Sequence, residues 1–318
     1  MSRQNPTVII ALGGNAISPK NETGDIKKQF EHTRESLNAM MHFVKERYNI
    51  CITHGNGPQV GAELLKNEIT KDIIPSLPLG VLVANTQGAI GYMIQQTLQN
   101  ELQLKDIDRE VVTFISQVIV DKDDPTIQNP TKYIGKTYSE NEAKKLSNNY
   151  GWVIKEQEKN VWRRVVSSPK PLYIFNGNSV KHLVDFGTIV VAGGGGGIPA
   201  YEDKNGILYG LDAVIDKDMS AALLGRVIKA EELFIITDVD NVCLNYGSKN
   251  QSKISKTNTN ELSKWISEKQ FGEGTMLPKI HAANYFLKHH GQKVVITSLN
   301  KIKEAINGKA GTIITKGK

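Results

Sequence analysis

Lysines, aspartates and glycines recur together in this chain at the ends of apolar runs. The stretch LDAVIDKDMSAALLG (211–225) sets Asp212, Asp216, Lys217 and Asp218 at the start of a segment of helical character. An aspartate beside a lysine can hold the ammonium toward a phosphoryl group and lower the entropic cost of positioning it. EGTMLPKIHAANYF (273–286) carries Met276 and Pro278 and adds Lys279 near another helix start, a mobile cation for a transferring group. ALGGNAI (11–17) closes an apolar run with Gly13 and Gly14, whose N–H groups can turn inward beside the Asn15 amide to make a concave array for phosphate oxygens. In ITHGNGPQVGAELL (52–65), Gly55 and Gly57 flank Asn56 and Pro58 opens a helix. The unpaired N–H groups and dipole of that first turn favour an anion. His54, a lone histidine before a turn, reads as structural rather than as a general base.

Five consecutive glycines, 193–197, cost backbone entropy that the fold must offset. The preferred explanation is a backbone lying against a phosphate or substrate, through Gly194 and Gly195; close packing of strand and helix is the alternative. Gly195, Gly197 and Ala200 superficially fit the G-x-G-x-x-G/A dinucleotide pattern, yet YEDKNGILYG (201–210) reads as a turn between extended pieces where that site needs a helix. The chain holds no G-x-x-x-x-G-K-[ST] phosphate loop and no Ser-His-Asp arrangement in context. Asp238 and Asp240 close the run FIITDVDNV, where they could accept from a ribose, order a loop or hold magnesium through water. No direct metal ligands are assigned. Backbone nests and lysines without a nucleophile favour phosphoryl transfer, which asks for alignment and charge neutralisation.

The elements that must position these groups are legible as continuous Val- and Ile-rich runs at 7–12, 49–53, 111–120, 172–175, 188–192, 233–237 and 293–297. Continuous rather than alternating apolar character predicts strands buried on both faces. Segments of helical character at about 27–47, 58–69, 81–103, 178–186, 212–228 and 278–290 separate them. That alternation predicts an α/β fold, a mostly parallel sheet covered on both sides with its functional edge at the strands' carboxyl ends. Residues 121–170 break the rhythm: they are polar, rich in turn signals and too long for an ordinary connection, and WVIKE with VWRRVV predicts a small hairpin. We expect a protruding lid subdomain there, inserted in a single domain spanning 1–318. The polar stretch 245–260 is expected to be a surface loop.

Composition excludes several function classes. The net charge of +6 comes from dispersed lysines rather than an arginine-rich block, so a solvated surface and small phosphorylated substrates are expected, without a nucleic-acid partner. No apolar run approaches the roughly 20 residues of a membrane span, and no membrane partner is expected. Cys51 and Cys243 lie in or beside apolar runs, which predicts a reducing, cytoplasmic setting rather than a disulfide scaffold.

The segments ALGGNAI, THGNGPQVG, DDPTIQNPTKYIG, the glycine run ending in IP, DAVIDKD, ITDVDNV and EGTMLPK run in order from residue 9 to roughly 315. With them the chain strongly resembles the carbamate kinases of the amino-acid kinase superfamily. The resemblance implies a three-layer α/β/α sandwich, a homodimer, and reversible phosphoryl transfer between ATP and carbamate with Mg2+, used to make ATP from ADP and carbamoyl phosphate at the end of arginine breakdown. By this similarity Lys132, on the protruding subdomain, reaches over carbamoyl phosphate. Lys217 meets the transferring group with Asp216 orienting it, and Lys279 neutralises charge on the nucleotide side. Gly13, Gly14, Asn15, Gly55, Asn56 and Gly57 surround the phosphoryl group and carbamate; Asp238, Asp240 and Met276 lie near the nucleotide. The sequence departs from the familiar pattern at Tyr133, where proline is usual, and at Leu277, where glycine is more frequent. Rival readings are another kinase of the same superfamily, acting on an amino-acid carboxylate or a nucleoside monophosphate, and a catalytically silent nucleotide-binding regulator.

Overall fold

The computed structural model describes residues 5–14, 17, 25–272 and 274–317. An eight-stranded sheet forms its centre, in the spatial order Lys256–Asn258, Thr312–Thr315, Lys293–Ser298, Glu232–Thr237, Thr7–Leu12, Asn49–His54, Ile189–Val191 and Val111–Thr113. All neighbouring pairs are parallel except Lys293–Ser298 with Thr312–Thr315.

The pleat divides each apolar run between two cores. On one face Val8, Ile10 and Leu12 join Ile50, Ile52 and Phe234 beneath Leu37, Met40 and Phe43 of the helix Ile26–Lys45 and Ile90, Ile94 and Leu98 of the helix Leu79–Leu104. On the other, Ile9, Ala11, Leu233 and Ile235 pack under Ala221 and Leu224 of the helix Lys217–Val227, Phe286 of Met276–His289, and Val180 and Val184 of Gly177–Phe186. Alternate side chains of one strand thus serve opposite layers, which is why the runs carry no polar face. The result is the expected three-layer α/β/α arrangement.

The apolar run at 111–120 is two strands rather than one. Val111–Thr113 edges the central sheet, whereas Gln117–Val120 enters a four-stranded sheet with Leu208–Gly210, Ile198–Glu202 and Pro171–Ile174. The break falls at Ser116, whose N–H donates to Gln87 Oε1 at 2.9 Å and whose hydroxyl accepts from the Gly193 N–H at 2.9 Å. Side chains distant in sequence turn the chain there, without a local turn residue. The expected surface loop at 245–260 is also corrected. Within it Lys256–Asn258 pairs with Thr312–Thr315 as the sheet's edge, and Asn258 accepts from the N–H groups of Asn260 and Glu261 to start the helix Thr259–Ser267.

Residues 121–170 contain a separate three-stranded sheet ordered Lys132–Tyr138, Val161–Val166, Ile154–Glu158, including the expected hairpin. A capping box between Ser139 and Glu142 opens the helix Glu140–Tyr150, and Gly151, at φ 66°, closes it in the left-handed region that glycine tolerates. Ile134 and Val166 bury their side chains with Val60, Leu64, Leu79, Leu82 and Val83. This small sheet therefore packs on the helices Gly57–Thr70 and Leu79–Leu104.

Candidate active site

The site forms where adjacent parallel strands end. After Thr7–Leu12 the Gly13 N–H donates to the Ile236 carbonyl at 2.9 Å, and a Cβ at Gly13 would stand 2.8 Å from that oxygen. After Asn49–His54 the Gly55 N–H donates to the Leu12 carbonyl at 2.9 Å; a Cβ at Gly55 would lie 3.0 Å from the Gly14 nitrogen and 3.3 Å from Lys217 Cδ. Both turns are packed backbone to backbone, with the Lys217 stem against them. Asn15 lies outside the described residues.

Asn56 precedes the helix Gly57–Thr70 without capping it; its buried amide donates instead to Thr86 Oγ1 at 2.9 Å. At Gly57 a Cβ would meet nothing within 4 Å, so that turn opens onto space. Unpaired N–H groups at such a helix start suit an anion.

Close packing, the alternative reading, accounts for the absence of side chains along the glycine run. A Cβ at Gly194 would lie 2.3 Å from His54 Nε2, at Gly195 2.3 Å from Asn56 Nδ2, at Gly196 2.2 Å from the Ile215 carbonyl oxygen and at Gly197 2.1 Å from Val118 Cγ2. The loop's carbonyls are taken by Thr53 Oγ1 on Gly193 at 2.8 Å, Gln87 Nε2 on Gly194 at 2.8 Å and Ser220 Oγ on Gly196 at 2.6 Å. Glycine is required here by protein neighbours before any ligand is considered. No signal in the local sequence pointed to Gln87, which lies more than a hundred residues from the loop it holds.

Asp216 caps the helix Lys217–Val227, its side chain accepting from the N–H groups of Asp218 and Met219, so the helix begins later than the 212 expected from periodicity. Its other carboxylate oxygen pairs with Lys132 from the small sheet. The expected orientation of Lys217 by Asp216 is therefore replaced. Lys217 hydrogen-bonds Asp218 Oδ1, while Lys279 Nζ reaches Asp218 Oδ2 at 3.2 Å. The helix cap consumes one oxygen of Asp216, and the helix's first turn presents Asp218, two residues on, to both lysines.

Three lysines from three separate elements thus converge on two adjacent carboxylates, leaving one positive charge among the five groups. Burial would raise the Asp218 carboxyl, but Lys217 and then Lys279 hold it well below the ordinary range. Burial and Asp218 likewise push Asp216 upward, and Lys132 overrides them to keep it low. Burial, reinforced by Lys279, lowers Lys217 against the pull of Asp218. Burial also works against the charge on Lys279, but Asp218 and Asp216 outweigh it and raise that group above its ordinary value.

His54 is buried, its Nδ1 3.0 Å from the Gly55 carbonyl oxygen. Burial, opposed by that bond and aided by Lys217, pulls its pKa down to about 4. A neutral ring wedged against Gly194 fits the structural reading.

On the neighbouring strand ends, Asp238 accepts from Thr237 Oγ1 at 3.1 Å and adds to the field that raises Lys279. Asp240 accepts from Ser298 Oγ at 2.5 Å, joining the ends of Glu232–Thr237 and Lys293–Ser298. Met276 opens the helix that carries Lys279 and packs against the core edge. Among the described residues no three His, Cys, Asp or Glu side chains come together as a metal cage.

A two-carboxylate, three-lysine rim at the carboxyl ends of a parallel sheet is the architecture of a phosphoryl-transfer fold, and comparison agrees. The amino acid kinase family pattern matches residues 6–298. The carbamate kinase of Pyrococcus horikoshii is 44% identical over 310 residues, covering 97% of this chain and 98% of that protein. The carbamate kinase of Clostridium perfringens is 41% identical, covering 97% and 99%. Among solved structures, carbamate kinase from Giardia lamblia bound to citric acid superposes with a TM-score of 0.93 at 38% identity, covering 98% of this chain and 99% of that one. The same Giardia protein bound to AMP-PNP gives 0.88 at 38% identity, covering 98% and 99%. The chain belongs to the amino acid kinase family, and within it to the carbamate kinases.

Proposed function

We propose that this chain transfers a phosphoryl group reversibly between ATP and carbamate, running toward ATP from ADP and carbamoyl phosphate at the end of arginine breakdown. The observation that carries the reading is the convergence of Lys132, Lys217 and Lys279 on Asp216 and Asp218. Whole-length similarity to carbamate kinases and the AMP-PNP complex of the Giardia protein support the substrate pair.

In this reading a carbamoyl phosphate P–O bond breaks as a bond forms from the same phosphorus to a β-phosphate oxygen of ADP, the two oxygens in line. Carbamate leaves as an anion, so no general base is needed. Lys217 meets the transferring group, Lys279 the nucleotide side and Lys132 the carbamoyl phosphate, each exchanging its aspartate partner for phosphoryl oxygens. The backbone at Gly14 and Gly57, with Asn15, Asn56, Gly194 and Gly195, lines the path, while Gly13 and Gly55, their N–H groups bonded to the Ile236 and Leu12 carbonyls, shape its turns; Asp238, Asp240 and Met276 border the nucleotide. Preorganised donors of this kind are worth about 3 to 4 kcal/mol each in other enzymes.

The donor set fits a magnesium ion that arrives with the nucleotide: Mg2+ is ordinarily held by phosphates, waters and one or two carboxylates rather than by a protein cage. Asp238 and Asp240 would be the carboxylates that help hold it, through water. The ion would neutralise phosphate charge.

Residues 121–170 act as the lid, carrying Lys132. We further infer a cytoplasmic homodimer. The two cysteines are free, Cys51 buried and Cys243 half-buried, as suits a reducing compartment. No described helix is long and apolar enough to cross a membrane. Sedimentation of the purified chain tests the dimer.

ATP formation from ADP should proceed with carbamoyl phosphate and fail with acetyl phosphate or acyl phosphates of amino acids. Preference for one of the latter would reassign the substrate, and binding without turnover would favour a regulator.

A further inference from the structure

We propose that Gly61 is a positioning residue for Lys132: its missing side chain sets how closely the small sheet approaches the helix whose first turn faces the site. The inference rests on the function proposed above, through the role given to Lys132. Gly61 lies one turn into the helix Gly57–Thr70, and the strand Lys132–Tyr138 crosses the helix there. A Cβ at Gly61 would stand 2.1 Å from the Gly135 Cα and 2.3 Å from the Gly135 nitrogen. Both are backbone atoms, so no side-chain rotation relieves the clash.

The demand is one-sided. A Cβ built on Gly135 would lie 3.5 Å from the Gly61 Cα, an ordinary contact. Gly135 owes its identity to its φ of 71°, a left-handed conformation; Gly61 owes its identity to the crossing strand. Local physics disfavours glycine at Gly61, since in a helix interior it costs about 1 kcal/mol relative to alanine. A tertiary contact is what makes it necessary.

Strand pairing links the contact to Lys132, three residues away, along the regular stretch that ends at Ile134, next to Gly135. The Gly135 carbonyl accepts from Arg163 Nη2 at 2.7 Å, and Lys132, Tyr133 and Ile134 are in register with Val166, Val165 and Arg164. Ile134 is anchored among Val60, Leu64 and Leu82. Restoring an ordinary carbon contact of 3.5 Å from 2.1 Å requires a shift of about 1.4 Å. The strand and the helix must separate by that amount, which shifts Lys132 relative to Asp216. A displacement of that size near reacting groups costs up to about 100-fold in rate.

The test compares Gly61→Ala with Gly88→Ala, a helical glycine whose added Cβ would meet nothing within 4 Å. Both should keep the cooperative melt of the wild type. Gly61→Ala alone should lower kcat/KM for carbamoyl phosphate tenfold or more, with the calorimetric Kd for ADP within twofold, and should speed hydrogen exchange along residues 132–138. In a Lys132→Ala background it should cause no further loss, because both changes act on one group. Wild-type kcat/KM in Gly61→Ala, full additivity with Lys132→Ala, equal weakening of ADP, or loss of the cooperative melt would each overturn the proposal. If the wild type makes no ATP from carbamoyl phosphate, the functional reading falls, and unchanged hydrogen exchange at 132–138 in Gly61→Ala would then separately refute the contact's role.

Discussion

Lys279 Nζ lies 3.2 Å from Asp218 Oδ2, on the carboxylate whose other oxygen holds Lys217. One buried aspartate therefore spaces two ammonium groups that would otherwise repel each other. Asp218→Asn should leave both lysines uncompensated and misplaced. Turnover should fall by about 100 to 1,000-fold, with a smaller change in ADP affinity. Single-turnover ATP formation beside calorimetry checks this, and near-normal turnover would show that the lysines align without their shared partner.

Lys217→Ala should lower kcat more than it weakens nucleotide binding, because its contact strengthens as charge redistributes toward the transition state. The loss is expected at about 3 to 4 kcal/mol of transition-state stabilisation. Equal losses in kcat and in ADP affinity would move Lys217 from the transferring group to ground-state binding.

Lys132→Ala should act on the other substrate. It removes the ammonium that the small sheet brings to Asp216, so KM for carbamoyl phosphate should rise and turnover fall while the Kd for ADP holds. Calorimetric weakening of ADP by the same factor would place this lysine on the nucleotide side.

His54 sets a pH dependence of folding. Its pKa is about 4 in the folded chain against about 6.5 for an unperturbed histidine. Between these values the unfolded chain binds the extra proton, so stability is complete above pH 6.5 and is lost as pH falls toward 4. Burying the ring uncharged should cost the fold about 2 kcal/mol between pH 6.5 and pH 5. Urea unfolding across that range should show the decline in the wild type and a flatter profile in His54→Gln; identical slopes would remove His54 as the cause.

Gly194→Ala should destabilise the fold by about 1 to 3 kcal/mol, the usual cost of overfilling a packed interior, because the methyl group would stand 2.3 Å from His54 Nε2. An unchanged melting temperature would show that the ring can retreat.

Much of this molecule was legible in its sequence. The strands at 7–12, 49–54, 232–237 and 293–298 announce themselves as unbroken apolar runs because both faces are covered, and helices between them dictate parallel pairing. Lys217 and Lys279 were legible too, beside an aspartate and a proline that mark helix starts, and Lys132 through the family resemblance. Thr312–Thr315 escaped notice: it is short and near the chain's end, and it exists as a strand through pairing with Lys293–Ser298. The same holds for Lys256–Asn258, polar by composition and recruited to the edge by Thr312–Thr315.

What the sequence by itself determined is the layered α/β plan and the kinds of groups gathered at the strand ends, since burial periodicity and turn chemistry are local properties of the chain. Only the tertiary structure decided which aspartate holds which lysine. Asp216 is drawn off by its helix cap and by Lys132, leaving Asp218 to receive Lys217 from its own turn and Lys279 from 61 residues away. It also decided that the glycine run answers to His54, Asn56, Ile215 and Val118. Such choices turn on distances between segments remote in sequence, and no local pattern encodes them.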